Sequence, residues 1–547
     1  MATVAVVAPS GPIADHLVRG LERAPGIDAC EAAPPGRLPV VEDPDWLRKF
    51  DTVVYLPPPI SRGSIAPDLA AAASMFDALS RARPAQFVLV SSAAIYGADH
   101  HNVGLLDEAA FISDRGREIV RGWMALEHEA RRAIGGHTVL TILRPAAVLD
   151  GTNYFSRLLC GGAAATYPGH DPTMQFLSPA DLSRAVQAVV GRLSAEVYNV
   201  APAGGIPLRQ ALRIAGAKRI PIPRTAQRIA RAALAAAGLA TSADQVRYLQ
   251  YSWTVSDAKL RRDTGFAATR SSAAAIQELT GRQTAGAIAF DDFGMDPDYI
   301  RRHCRQLFHL LHEYYWRVEV DGMHHVPRVG RGVLVGMHRG FMPFDGVMAL
   351  YALVRRLDRI PRFLIHPSLT KFPFLADFMA KLGGIMACQE NGDYVLQRDE
   401  LLGVFPEGIR GAFTMYKRAY TLGKFGRDEY VRMALRNRAP ILPFVTVGSA
   451  EIYPILGRVN WAWFKRYTEW PFLPVTNPVP LPTKWHTRFL PPMHIEERYP
   501  PEAAEDPTIV RTISVEVRQR MQATIDEMLL RRRSVFSGSI FDRLETP

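Results

Sequence analysis

The chain has 547 residues, and 48% of them are apolar, which is too much chain for one core and suits two ordinary globular domains. This composition excludes a disordered chain, and four scattered cysteines without a close pair argue against a zinc site and a disulfide framework. The net charge of +11 could attract nucleic acid, but the sequence carries no helix-turn-helix, zinc finger or aromatic RNA platform. We therefore expect no nucleic-acid partner, and a reducing, cytoplasmic setting.

The first half of the chain alternates predicted strands and helices. Met1–Ala8 lacks a basic region and leads into Pro-Ser-Gly, so it predicts a first strand and not a signal peptide. No apolar stretch reaches the roughly eighteen residues that a membrane-spanning helix needs. The rhythm predicts a doubly wound parallel sheet. Its predicted elements are the strands Thr3–Ala8, Asp51–Leu56 and Gln86–Ser91 and the helices Ala14–Leu21 and Asp68–Arg81.

Three short motifs in this half carry a family resemblance. They are Phe87-Val-Leu-Val-Ser-Ser-Ala-Ala-Ile-Tyr-Gly97, Leu143-Arg-Pro145 and Tyr198-Asn-Val200. In this order they resemble the NAD-dependent epimerases and extended short-chain dehydrogenases, over most of residues 1–270. The resemblance implies a Rossmann-like domain.

The cofactor-binding turn of that family is incomplete. The family has three glycines there, because the backbone must approach the pyrophosphate closely, whereas this chain has Ala8, Gly11 and Ala14. Pro12 also removes an N–H that could have faced a phosphate. Only Gly11 therefore remains as a candidate cofactor contact in this turn.

The catalytic pair that the resemblance implies is also missing. Counting back from Glu127 places Trp123 at the lysine and Ile119 at the tyrosine, and neither side chain can transfer a proton. Ser91 and Ser92 are present, either as cofactor contacts or as hydrogen-bonding residues at a strand end. We expect no hydride transfer, and NAD(P) binding without chemistry remains an alternative.

The basic excess is concentrated in residues 201–290. Arg209–Ala215 and Pro223–Gly238 predict helices, and the second is either an ordinary helix with a solvated basic face or an interfacial helix that binds anionic headgroups. Its spaced cations are Arg224, Arg228 and Arg231. Residues 271–296, rich in small and polar residues, predict a linker, so the second domain begins near residue 297.

A histidine follows the first buried strand of the second domain. Val333–Met337 is too short and apolar for anything but a strand of a parallel sheet, so His338 lies just past its carboxyl end. Pro343 suits the first turn of a following helix, which places Asp345 near the histidine. A carboxylate beside an imidazole holds one tautomer and stabilises the imidazolium, as a general base requires. The alternative is that His338 is a loop residue that caps the end of the strand and has no catalytic role.

A second motif follows about seventy residues later. The chain has Phe405, Pro406, Glu407, Gly408 and Arg410 in the order Phe-Pro-Glu-Gly-x-Arg. With the earlier histidine and aspartate, it resembles the glycerolipid acyltransferases, over roughly the C-terminal half. Six residues separate the histidine from the aspartate, as in relatives of the monoacylglycerol and diacylglycerol acyltransferases, and Gln389-Glu390-Asn391 matches that branch.

The resemblance implies acyl transfer from a thioester, either acyl-CoA or acyl carrier protein, to the hydroxyl of a lipid acceptor, with no cofactor. His338 would be the base, and Glu407 could hold a glycerol hydroxyl. Arg410 is available for an anionic headgroup or the coenzyme A phosphates, or it is a surface cation paired with a neighbouring acid.

A tryptophan-rich segment, 453–485, has the composition found where proteins meet lipid headgroups, although core packing explains part of it. Without a spanning helix, we expect a peripheral protein on the cytoplasmic face of a membrane. The sequence therefore predicts an α/β protein with an N-terminal doubly wound Rossmann-like domain (1–270) and an α/β glycerolipid acyltransferase domain (297–547). The alternatives are a bifunctional oxidoreductase and acyltransferase, or a non-catalytic lipid-surface scaffold.

Overall fold

The chain forms two compact units, Met1–Gly294 and Met295–Pro547, in a computed structural model. The structure describes the whole chain apart from residues 1, 10, 34–45, 62, 103, 115, 135, 203, 223–225, 227–241, 283–290, 292, 367–368, 370–371, 427, 469 and 542–547. The predicted basic helix Pro223–Gly238, with its three arginines, therefore lies almost entirely outside the described residues. No helix in the described part of the chain is long and apolar enough to cross a membrane.

The first unit is built on one six-stranded parallel sheet, as predicted. Its strand order is β6-β5-β4-β3-β1-β2, with the direction of strand order reversing between β1 and β3. The strands are β1 (Ala2–Val7), β2 (Ile27–Ala33), β3 (Thr52–Tyr55), β4 (Gln86–Val90), β5 (Val139–Pro145) and β6 (Val197–Val200). Short strands outside this sheet are Ala147–Val148, Ala163–Thr166, Thr173–Met174, Phe176–Leu177, Ile206–Pro207 and Lys218–Pro221.

The helices of this unit bury one apolar face each. In the helix Leu69–Ala82, Asp68 caps the first turn by accepting from the N–H groups of Ala70 and Ala71. The other described helices are Pro12–Glu22, Glu118–Ala133, Tyr154–Cys160, Pro179–Val189, Leu208–Ala215, Ala243–Arg247, Ala258–Thr264 and Ser272–Thr280, with 3₁₀ turns at Trp46–Lys49 and Ala93–Tyr96.

The predicted linker 271–296 starts too early. Ser271 caps the helix Ser272–Thr280, whose Ala275 and Ile276 are buried in the apolar core of the first unit. The compact unit continues to Gly294. Residues 271–296 are small and polar enough to suggest a linker. Burial of Ala275 and Ile276 nevertheless holds the helix Ser272–Thr280 on the first unit.

The second unit is built on a seven-stranded sheet of order β7-β13-β12-β8-β11-β9-β10, in which only the β12–β13 pair is antiparallel. The strands are β7 (Glu319–Asp321), β8 (Gly332–Gly336), β9 (Arg362–Ile365), β10 (Ile385–Met386), β11 (Leu401–Val404), β12 (Ile441–Val447) and β13 (His486–Phe489). A separate antiparallel hairpin joins Gly457–Val459 to Leu473–Val475.

Helices flank this second sheet, and the last of them ends at Arg531. They are Pro297–Arg305, Leu307–His309, Phe344–Leu357, Pro373–Lys381, Gln389–Gln397, Ile409–Ala412, Glu429–Arg436, Ala462–Thr468, Ile495–Arg498 and Pro507–Arg531, with a π turn at Leu310–Tyr315 and 3₁₀ turns at Met323–His325, Tyr416–Arg418, Ser449–Glu451 and Pro501–Glu505.

The register of the two central strands brings the two sequence motifs together. Strands β8 and β11 are fully buried neighbours, and Val335 pairs with Val404 in parallel register. Because parallel strands end at the same edge of a sheet, the residues that follow Gly336 and those that follow Val404 leave the sheet side by side. His338 and the segment Phe405–Arg410 therefore lie at one edge.

Candidate active site

His338 and Asp345 form the predicted pair. The Nδ1 atom of His338 lies 2.9 Å from Oδ1 and 3.1 Å from Oδ2 of Asp345, whose side chain is fully buried. The carboxylate also accepts from the backbone N–H groups of Arg339 at 2.8 Å and Gly346 at 3.2 Å. This contact favours the neutral tautomer of His338 that has its proton on Nδ1 and its lone pair on Nε2.

The loop between these two residues is tightly folded. Gly340 has a φ of 75° and Phe341 a φ of 64°, a left-handed conformation that costs energy for a phenylalanine. Phe341 is held there by a hydrogen bond from its N–H to Ala412 O and by edge contacts with Phe413 and Trp470. The two left-handed residues turn the chain back, so Asp345 in the first turn of the helix Phe344–Leu357 reaches the imidazole.

Arg339 is a site residue that the sequence analysis missed. Its side chain is 1% exposed and forms a two-pronged ion pair with Glu407, at 2.7 Å and 3.1 Å. Its remaining N–H groups donate to the backbone carbonyls of His338, Ala419 and Thr421. One signal was available: a basic residue next to the catalytic histidine and an acidic residue in the second motif invite a pair across adjacent strand ends.

Glu407, which the sequence predicts to hold a substrate hydroxyl, is bound to protein groups in this structure. Both of its carboxylate oxygens face Arg339, one of them also accepts from the N–H of Gly423, and the side chain is only 6% exposed. A carboxylate with these partners has little capacity left for a ligand. The ion pair connects the second motif to the residue that follows His338.

An apolar pocket lies against His338. Its volume is about 120 Å³, and part of it is open to solvent. Among its described wall residues, the side chains with polar atoms are those of His338, His366 and Trp470. The apolar wall includes Phe341, Val347, Leu350, Leu364, Ile365, Met379, Leu382, Phe405, Ile409 and Phe413. The pocket therefore offers an apolar surface beside the imidazole of His338.

The second motif contributes to the pocket unevenly. The Phe405 ring lies 5.2 Å from the His338 ring and stacks on Phe363, whereas Pro406 is buried. Gly408 lines the pocket with φ 56° and ψ −147°, a conformation that side chains resist. Arg410 is exposed, and its backbone carbonyl accepts from the Thr414 hydroxyl at 3.1 Å, but its guanidinium forms no hydrogen bond or ion pair with any residue the structure describes.

The Gln-Glu-Asn segment serves structure. The described contacts of Asn391 include donation of its side-chain amide to Met386 O, and the residue is buried near the start of the helix Gln389–Gln397. Gln389 contacts Glu429 and accepts from Arg436. The helix is thereby fixed beside β10 and takes no part in the pocket wall.

The corresponding edge of the first unit contains a buried polar network instead of an acid–base pair. Ser91 donates to Glu127 at 2.8 Å, and Arg144 grips the same carboxylate with two N–H groups at 2.8 Å each. Arg144 also donates to the hydroxyl of Tyr96, which donates to Asn199. Ser91 is thus a strand-end hydrogen-bonding residue, as one reading of the sequence proposed.

The other two candidate cofactor contacts have structural roles as well. The Ser92 hydroxyl caps the 3₁₀ turn Ala93–Tyr96 by accepting from Ala94 N–H. Gly11, with a φ of 148°, precedes the helix Pro12–Glu22 and accepts from Asp15 N–H. At both positions the contacts explain the residue without a ligand.

Within the part of the chain that the structure describes, two groups of side chains have metal-ligand spacing: Asp99, His100 and His101, and a second group near residue 494. Asp99 is already engaged by the guanidinium groups of Arg117 and Arg247. Two fixed cations on the central carboxylate make that group a poor site for a metal ion.

Comparison with known proteins agrees with the geometry of the second unit. The Acyltransferase family model matches residues 317–447, which include the His338 loop and the second motif. Over 276 residues, covering 48% of this chain, uncharacterized proteins of Mycobacterium tuberculosis and Mycobacterium bovis are 33% identical and one of Mycobacterium leprae is 32% identical. The alignments cover 76% of the first two relatives and 74% of the third. The chain therefore contains an acyltransferase domain at residues 317–447. The predicted resemblance of its C-terminal half is confirmed.

Solved structures similar to this chain are epimerase-type proteins and cover its N-terminal half. They include MoeE5 in complex with UDP-glucose and NAD (17% identity, TM-score 0.39) and the UDP-N-acetylglucosamine 4-epimerase from Bacillus cereus (15%, 0.38). A third is the human epimerase family protein SDR39U1 with NADPH (18%, 0.39). Each covers 51% of this chain and 98–100% of its own. The doubly wound architecture itself is established by the strand order of the first unit.

Proposed function

We propose that this acyltransferase moves a fatty acyl group from acyl-CoA, or from acyl carrier protein, to the hydroxyl of a glycerolipid or a similar lipid. The observation that carries the proposal is an imidazole, oriented by a buried carboxylate, in the wall of an otherwise apolar pocket. The pocket suits an acyl chain, and the imidazole suits proton removal from an alcohol.

The proposed reaction uses His338 Nε2 as the base. The acceptor hydroxyl gives its proton to Nε2 while its oxygen attacks the thioester carbonyl, so a C–O bond forms. The tetrahedral intermediate then expels the thiolate as the C–S bond breaks, and the imidazolium returns the proton to sulfur. Asp345 stabilises the transient imidazolium, and Arg339, through the His338 carbonyl and Glu407, holds the loop in place.

An exposed basic surface supports an anionic donor or acceptor. Arg410 follows the pocket residues Gly408 and Ile409, and the same stretch of chain exposes Lys417, Arg418 and Lys424. Phosphates of coenzyme A, the acidic surface of a carrier protein, or a lipid phosphate would each be attracted to these cations. The mobile, anionic end of the donor would then lie outside the pocket while the acyl chain fills it.

The test is a pair of variants assayed with radiolabelled acyl-CoA and a panel of lipid alcohols. His338→Ala should lower kcat by about 10² to 10⁴ in a folded protein, because it removes the base. Asp345→Asn should lower kcat severely as well, because the imidazole loses its tautomer control. The exposed His494→Ala is the matched control and should keep wild-type turnover.

A folded His338→Ala protein with near wild-type turnover would refute the mechanism. Full activity of wild type on short soluble alcohols, with none on lipid alcohols, would refute the acceptor class and leave the base in place. We also propose that the enzyme works at the cytoplasmic face of a membrane, because a lipid acceptor is insoluble whereas acyl-CoA is soluble.

A further inference from the structure

The second unit contains a hairpin with an amphipathic tip. Strands Gly457–Val459 and Leu473–Val475 pair in antiparallel register, and the chain between them forms the helix Ala462–Thr468. Lys465 N–H donates to Trp461 O, which joins the residue before the helix to its first turn. We name residues 456–475 the tryptophan hairpin.

The tip of this hairpin exposes large apolar side chains. Trp461 is 52% exposed and Trp463 is 61% exposed, and their rings lie 5.3 Å apart. Leu456, Val459 and Val475 of the same hairpin are also exposed. Scattered exposed apolar residues are ordinary, but a contiguous group with two tryptophans marks a surface that is covered in use.

Three basic side chains occur on the tryptophan hairpin. Arg458, Lys465 and Arg466 are exposed, and none of them forms an ion pair with another described residue. The hairpin sequence has one acidic residue, at position 469, against these three cations. The basic turn Tyr416–Arg418 lies beside it, since Tyr416 N–H donates to Ile455 O.

The hairpin is physically continuous with the pocket. Phe464, on the inner side of its helix, contacts Trp470 at 5.8 Å between ring centroids. Trp470 lines the pocket and also packs on Phe341, in the loop that follows His338, and on Phe413. A group that enters between the exposed rings and Trp470 would therefore meet the pocket that contains the imidazole.

We infer that the tryptophan hairpin docks the enzyme on an anionic lipid surface and admits the lipid acceptor to the pocket. Trp461 and Trp463 lie at the level of the headgroups, where indole rings are favoured, while the surrounding cations contact lipid phosphates. A second copy of this chain is a poorer partner, because a two-fold contact would bring the same cations face to face. The inference rests on the proposed function in its choice of a lipid acceptor.

The test measures vesicle binding and catalysis separately on the full chain. Co-sedimentation uses phosphatidylcholine vesicles with and without phosphatidylglycerol. Trp461→Ser/Trp463→Ser should lower the affinity for anionic vesicles roughly tenfold or more. The triple variant Arg458→Gln/Lys465→Gln/Arg466→Gln should bind anionic vesicles more weakly at low salt, by about fivefold per charge removed. Its binding to neutral vesicles should be unchanged. The matched control is Phe536→Ser, a residue of similar exposure outside the hairpin, which should bind as wild type.

Catalysis gives the second readout. The double tryptophan variant should keep the wild-type rate with a dispersed short-chain acceptor and lose rate with an acceptor held in vesicles. His338→Ala should bind vesicles as wild type, so failure of acyl transfer and failure of docking are distinguishable. Unchanged vesicle binding by the double variant would overturn the inference. A dimer in solution that the double variant abolishes would also overturn it, because the surface would then be an interface between copies.

Discussion

Replacing Arg339 by Met should destabilise the second unit and disable its active site together. The substitution leaves the Glu407 carboxylate, 6% exposed, with the Gly423 N–H and no cation. It also removes the side-chain donors to the backbone carbonyls of His338 at 2.8 Å, Ala419 at 2.5 Å and Thr421 at 3.2 Å. Breaking a buried ion pair on one side costs about 3–5 kcal/mol, a fifth or more of a typical free energy of unfolding of about 5–15 kcal/mol.

A double-mutant cycle separates the ion pair from the carbonyl contacts. Arg339→Met/Glu407→Met removes both charges, so its loss should be smaller than the sum of the two single losses by about 2 kcal/mol or more. The assay is urea unfolding followed by tryptophan fluorescence, combined with kcat measured on the folded fraction. Because Arg339 donates to the His338 carbonyl at 2.8 Å, kcat should fall in the two variants of the cycle that lack Arg339.

The matched control is the buried Arg144–Glu127 pair of the first unit, which is also two-pronged but is formed through Nε and Nη2 of the arginine. Arg144→Met should cost comparable stability in the first unit and leave kcat per folded molecule unchanged. A loss below about 1 kcal/mol for Arg339→Met, or strict additivity in the cycle, would refute the reasoning.

Three further predictions follow from particular residues and surfaces. Gly408→Ala should cost about 1–3 kcal/mol in urea unfolding. The cost is backbone strain, because the φ of Gly408 is 56° and an added Cβ would meet no atom within 4 Å. Gly426→Ala is the control, since this glycine is equally open but has no positive φ, and the substitution should be near neutral. Burial lowers the pKa values of His312 and His486 to about 4. The stability that these neutral rings contribute is therefore complete above about pH 6.5 and is lost as the pH falls toward 4. The loss is up to about 1.4 kcal/mol per pH unit for each ring. Unfolding curves between pH 7 and 4.5 would show this slope, and replacing both histidines by Asn should flatten it. Titration of NADH and NADPH with the full chain should show no cofactor-dependent turnover of sugar nucleotides, and any such turnover would establish a second activity.

The order of elements and the catalytic pair could be predicted from the sequence because their signals are local. A short buried apolar run predicts the strand Gly332–Gly336, and Pro343 predicts the start of the helix that contains Asp345. Strand and helix together bring the carboxylate to His338 within eight residues of chain. The parallel sheet of the first unit follows in the same way from alternating local periods.

The partner of Glu407 was decided by tertiary structure. Arg339 lies 68 residues away, and the two meet only because β8 and β11 are parallel neighbours in one register. From the motif alone, Glu407 is predicted to hold a substrate hydroxyl. The sequence does not say which cation the sheet brings to this carboxylate. Burial then decides between ligand contact and ion pair, because a buried carboxylate takes the nearest fixed cation.

The four tryptophans of the tryptophan-rich segment differ in how deeply they are buried. The sequence by itself determined that four tryptophans occur between 453 and 485, but it did not determine which of them pack inside. In the structure Trp485 is fully buried against Trp316, Trp470 lines the pocket, and Trp461 and Trp463 are exposed. A side chain's environment depends on what the rest of the chain places over it, so local pattern predicted the elements, and long-range packing decided which residues serve the core, the site and the surface.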